Sequence, residues 1–152
     1  MNARGRILEA GVTLVRQQGF SATSVDQLCA AASVTKGAFF HHFASKEALG
    51  VALADYWSTS TGGFFAEAPY HHHPRAIDRV LGYIDLRQAL IGGSPDQFSC
   101  VAGTMVQEGF RTSEAIRRAC EASIMGNAHA LEADLAEALA DSGLPADQAP
   151  SL

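Results

Sequence analysis

No apolar run in this 152-residue chain reaches the roughly 18–20 residues that a membrane-spanning helix needs. The opening stretch MNARGRILEAG has neither the apolar core nor the cleavage site of a secretion signal, so a cytoplasmic location is expected. Cysteine is scarce. Cys29, Cys100 and Cys120 are odd in number, widely spaced and form no CxxC pair, which argues against a disulfide framework and for small buried hydrophobes. There is no GxSxG, HExxH, P-loop or GxGxxG string and no pair of carboxylates on one loop, so no enzyme activity and no cofactor are expected. Nor does any stretch alternate with a period of two. With strands excluded, the fold class is all-α.

What the sequence has is an uneven distribution of charge. Residues 1–50 carry five basic and three acidic side chains, and residues 51–152 carry six and thirteen. The net charge of −5 therefore divides into +2 and −7. A basic N-terminal third attached to an acidic remainder fits one part that meets phosphate and another that avoids it.

The helices announce themselves by spacing and caps. Ile7, Leu8, Gly11, Leu14 and Val15 recur at helical intervals, giving a first helix over about 3–18, closed by Gly19 with Phe20 folding back as a plug. Ser24-Val-Asp-Gln27 is a capping box for a second helix with Val25, Leu28, Cys29 and Ala32 inside. Ser33-Val34 interrupts it, Thr35 caps a third helix to about Phe43, and Ser45 caps a fourth through Leu49, Leu53 and Trp57. Thr59–Gly63 is expected to weaken or bend that helix. A loop over Pro69–Pro74, a helix over 75–91, a break at Gly92–Pro95 and a segment over 98–110 follow. A long helix over 113–141 ends at Gly143-Leu-Pro145.

Two short helices joined by a tight turn at 24–43 suit a helix-turn-helix. Phe39 and Phe43 share one face of the third helix and would pack inward. The opposite face presents Thr35, Lys36, Gly37, Ala38, His41 and His42, small or polar groups suited to base edges. Spacing alone leaves an ordinary helical hairpin open as the alternative. His41 and His42 point about 100° apart as neighbours on a helix, a poor chelate, so DNA contact is the better reading.

The specific string goes further. Residues 34–50, VTKGAFFHHFASKEALG, resemble the recognition helix and following helix start of the tetracycline-repressor (TetR) family. The preceding ILEAGVTLVRQQGFSATSVDQLCAAASV matches that family's first two helices, so the resemblance covers about residues 4–57. It implies a DNA-binding domain over 1–47, and over 48–152 a helical domain that dimerises and binds a small effector. It implies a repressor acting as a homodimer on a palindromic operator in double-stranded DNA. By position, Thr23 and Ser24 would meet phosphate, and Gln27 base or backbone. Thr35, Lys36, Gly37, Ala38 and His41 would meet bases, and His42 and Lys46 the backbone. Phe40 departs from the usual tyrosine, which removes a phosphate hydrogen bond and leaves ring packing.

The resemblance also implies an effector that is apolar or aromatic. Trp57, Phe64, Tyr83, Leu86, Phe98, Cys100, Met105 and Phe110 are the candidate walls, and Thr104, Gln107 and Glu108 the candidate polar groups. Cys100 opens an alternative, a thiol-responsive regulator of the same fold. His71, His72 and His73 open a metal-responsive one, although a solvated loop is the simpler reading and no metal is expected. A helical dimerisation protein without DNA binding is the third. Relatives commonly continue past a stretch like Ser142–Asp147 with two more long helices, so the second domain is expected to be short at its C-terminus. The long helix would then supply part of a dimer surface through Ile116, Cys120, Ile124 and Leu131.

Overall fold

The computed structural model describes residues 1–152 and contains helices and turns only. Helix α1 spans Ala3–Gln18, with Asn2 accepting the Gly5 N–H at 2.9 Å as its cap. Ser24 and Gln27 form the expected reciprocal capping box of α2, Val25–Ala32. Ser33 then turns left-handed at φ 52°, and Thr35 caps α3, Lys36–His42, by accepting the Ala38 N–H at 3.1 Å. Ser45 does the same for α4, Lys46–Ala66, at the Ala48 N–H. In each case a short polar side chain satisfies a backbone N–H that the helix cannot.

Several later expectations need correcting. Helix α4 runs unbroken through Gly62 and Gly63 to Ala66. Each glycine costs about 1 kcal/mol relative to alanine, which the burial of Phe65 offsets. Pro69–His72 is a 3-10 turn rather than open loop, closed by the His73 N–H on the Tyr70 carbonyl and anchored by buried Tyr70. After α5, Ala76–Ala89, the break at Gly92–Gly93 leads into a short helix that spacing did not reveal, α6, Pro95–Phe98. Gln97 accepts the Ser94 N–H there at 3.0 Å. Helix α7 covers Val101–Gly109, inside the expected segment, with Cys100 as its N-cap. Helix α8 covers Glu114–Asp141 and ends at Gly143, φ 72°, where the Leu144 N–H reaches back to the Leu139 carbonyl.

The chain forms two compact units, Met1–Thr59 with Gly93–Ile124, and Ser60–Gly92 with Met125–Leu152. The first is built around one apolar cluster that includes Ile7, Leu28, Phe39, Leu53, Val101 and Met105. Ile116 and Cys120 are buried in that cluster, so they are not available to the dimer surface expected of them, whereas Ile124 is exposed. The second unit holds a smaller cluster of Phe65, Ala68 and Tyr70 with Tyr83 and Leu86 against it. There Arg79 forks onto Asp134 at 2.7 Å and Glu137 at 2.5 Å, tying α5 to α8. No helix is long and apolar enough to cross a membrane.

Candidate nucleic-acid interface

Helix α3 has a dry side and a wet side. Phe39 is fully buried and Phe43 nearly so, their ring centroids 5.7 Å apart, against α1 and α2. This frame leaves Thr35, Lys36, Gly37, Phe40, His41 and His42 exposed and Ala38 half-buried. The sequence-derived face of α3 is therefore brought together as one surface. The first turn of α2 adds exposed Ser24, Asp26 and Gln27. Lys36 Nζ lies 2.8 Å from Asp26 Oδ1, a contact between α2 and α3 that local spacing did not suggest. This hydrogen bond and the Asp26 charge push the Lys36 pKa up, so the ammonium stays fully charged.

Thr23 is a correction. Its side chain is buried, with the hydroxyl donating to the Gly19 carbonyl at 2.7 Å and accepting from Gln18 Nε2 at 3.3 Å. The hydroxyl locks the turn between α1 and α2, its one proton committed to the Gly19 carbonyl. The same turn is held by a residue far along the chain. Glu108, at the end of α7, accepts the Phe20 and Ser21 N–H groups at 2.8 and 2.9 Å. Lys46 completes the joint. Its ammonium donates to the Ser21 carbonyl at 3.3 Å and sits 4.7 Å from the centroid of the Phe20 ring. Partial burial lowers its pKa, and the Glu108 carboxylate opposes that shift. Glu108 is thus spent on the turn rather than held as a polar group for an effector. Gly50 lacks the Cβ that would meet the Phe20 ring, which lets Phe20 plug this corner as expected.

The candidate effector walls are scattered. In the first unit, Met105 is packed into the core, and Trp57 is partly buried with the Arg16 guanidinium 5.5 Å from its centroid. Phe98 and Phe110 are about half exposed, set outward by a four-residue helix and a helix end. In the second unit, Tyr83 and Leu86 cover Phe65 and Tyr70, while Phe64 is exposed. A cleft of about 510 Å³ lined by α1 and the end of α2 includes none of these eight residues. The same holds for a cleft of about 390 Å³ lined by α4 and α8. His71 bonds the Phe65 carbonyl through Nε2 at 2.9 Å and stacks on Tyr70. No three His, Cys, Asp or Glu side chains gather as a metal site requires.

Residues 7–53 match the family described as bacterial regulatory proteins, tetR family. The transcriptional repressor NemR of Escherichia coli is 33% identical over 82 residues, 54% of this chain and 41% of that protein. The transcriptional regulator AcuR of Cereibacter sphaeroides is 35% identical over 106 residues, 70% of this chain and 48% of that protein. The chain thus spans less than half the length of these two curated relatives. The crystal structure of reduced NemR superposes with a TM-score of 0.74 at 27% identity, covering 99% of this chain and 80% of that one. A TetR-family regulator from Agrobacterium tumefaciens shares the fold, with a TM-score of 0.79 at 20% identity over 97% and 79% of the two chains. Residues 7–53 thus belong to the TetR family. As a TetR-family sequence this stretch departs at Phe40, whose half-exposed ring stands edge-on to Phe39 at 5.2 Å and offers no hydroxyl.

Proposed function

We propose that this chain is a sequence-specific DNA-binding transcriptional regulator, a repressor released from its operator by a small apolar or aromatic effector. The observation that carries the reading is the two-sided α3, rigid on Phe39 and Phe43 and polar toward solvent. A helix so backed can enter the major groove without repacking, and Gly37 allows its backbone to come close to base edges. Thr35, Lys36, Gly37, Ala38 and His41 are assigned to bases. Ser24, Gln27 and His42 are assigned to the backbone, with Phe40 packing on sugar. Lys46, which gives one ammonium proton to the Ser21 carbonyl, is assigned to the backbone with the other two. Residues 1–47 carry this surface, and residues 48–152 carry effector binding and dimerisation, in the cytoplasm where the DNA lies. A homodimer on a palindrome presents two α3 helices about one DNA turn apart, so each strengthens the other.

Selection from a random duplex pool tests this. Two inverted half-sites and a steep fall in affinity with salt are expected, and Lys36→Ala should weaken binding about tenfold. Failure to retard any duplex at low salt would overturn the proposal.

A second reading, thiol control of release, is favoured by the exposure of Cys100 at the N-cap of α7, where Sγ accepts the Gly103 N–H at 3.4 Å. Cys29 and Cys120 are buried, and burial, with Cys100 nearby, pushes the Cys120 thiol up to about 11. Native iodoacetamide labelling should therefore modify Cys100 alone. Electrophile-triggered release from DNA should vanish in Cys100→Ser, and release that persists in that variant removes this reading.

A further inference from the structure

An exposed carboxylate on a DNA-facing surface is a liability, because every phosphate repels it. Asp26 is such a group. It projects from the first turn of α2 with its side chain 73% exposed, and it holds the Lys36 ammonium at 2.8 Å. Lys36 is the first residue of α3, beside the small residues Gly37 and Ala38. The pair thus bridges the two helices of the reader at the end of α3 that meets the bases. We propose that Asp26 is a positioning residue that sets sequence discrimination, by fixing the Lys36 ammonium over the N-terminal end of α3 and penalising duplexes that satisfy neither charge. The proposal rests on the DNA-binding reading above.

The physical argument compares two kinds of duplex. A free lysine is a point charge on a flexible stem and can settle on any phosphate. Such contacts raise affinity without carrying sequence information. A lysine tethered to a carboxylate is held in a smaller region, and docking must strip water from both charges. On a half-site that places guanine O6 and N7 near Nζ, and a cytosine N4 amino group near Oδ1, both groups find partners in the groove. On other sequences the carboxylate is left facing phosphate and unpaired groups, and binding is weaker. The acid therefore lowers binding to random duplex more than binding to the matched site.

The test uses the whole chain and two duplexes, the site selected by the wild type and a scrambled one of equal length, titrated at fixed salt. Asp26→Asn should bind the scrambled duplex about three- to fivefold more tightly. The ratio between the two duplexes should fall about fivefold or more. Asp26→Glu, which retains the charge and can still reach Lys36, should recover most of that ratio. Glu9→Gln removes one negative charge from α1 without touching Lys36, and should shift both duplexes together with the ratio unchanged. In a Lys36→Met background, Asp26→Asn should leave the ratio where Lys36→Met alone puts it. A ratio unchanged by Asp26→Asn, or changed equally by Glu9→Gln, overturns the proposal while leaving DNA binding intact. A wild type that retards no duplex fails the broader reading instead.

Discussion

Phe39→Ala is expected to cost about 3–5 kcal/mol and to abolish DNA retardation, although no DNA-facing atom is altered. The ring is fully buried in the cluster shared by Ile7, Leu28 and Leu53, and it is the wedge that holds α3 against α1 and α2. Truncation leaves a void that three short helices cannot close without changing their crossing angles. The adjacent ring provides the control. Phe40 is 52% exposed, so Phe40→Ala should change stability by only about 0.5 kcal/mol. Urea unfolding of both variants, followed by circular dichroism, measures the difference. Equal losses would mean that the two faces of α3 have been assigned wrongly.

Gly19→Ala is expected to destabilise by about 2–4 kcal/mol, from two causes that can be separated. The residue sits at φ 88° and ψ 162°, a region open in practice only to glycine. A Cβ there would also collide with Glu108 Oε1 and displace the carboxylate from the Phe20 and Ser21 N–H groups. Those are charge-assisted hydrogen bonds, worth more than neutral ones. Glu108→Ala removes the collision, so the double variant should lose less than the sum of the single ones. The further loss on going from Glu108→Ala to the double variant reports backbone strain alone. Thermal melts of the two single variants and the double variant check this. A Gly19→Ala protein that melts within a degree of the wild type would refute the clamp.

Local signals were read correctly because their partners lie within four residues. Ser24 with Gln27, Thr35, Ser45 and Gly143 each act where their own sequence places them. The two faces of α3 were legible for the same reason, since a seven-residue helix fixes which side chains share a face. The features that local sequence does not specify have a common origin in tertiary packing. Gly62 and Gly63 weaken a helix by propensity, but Phe65 is buried beyond them and α4 continues. Thr23 has the composition of a phosphate ligand, yet the turn at Gly19 points its hydroxyl inward. Phe98 and Phe110 show that an aromatic side chain does not specify its own burial, since much of any protein surface is apolar. The contact from Glu108 to Phe20 joins residues 88 apart, beyond any local pattern.

The first unit is discontinuous, and this sets an order of events during synthesis. Ile7, Leu28 and Phe39 share their cluster with Val101, Met105, Ile116 and Cys120. Translation at about 5–20 residues per second places several seconds between the emergence of α3 and that of α7 and the start of α8. Helices as short as α2 and α3 are marginal until packed, so this stretch spends that interval incompletely covered, a target for chaperones and proteases. Phe39 and its neighbours in α1 and α2 reach their complete cluster only after the chain has grown by about eighty residues beyond α3.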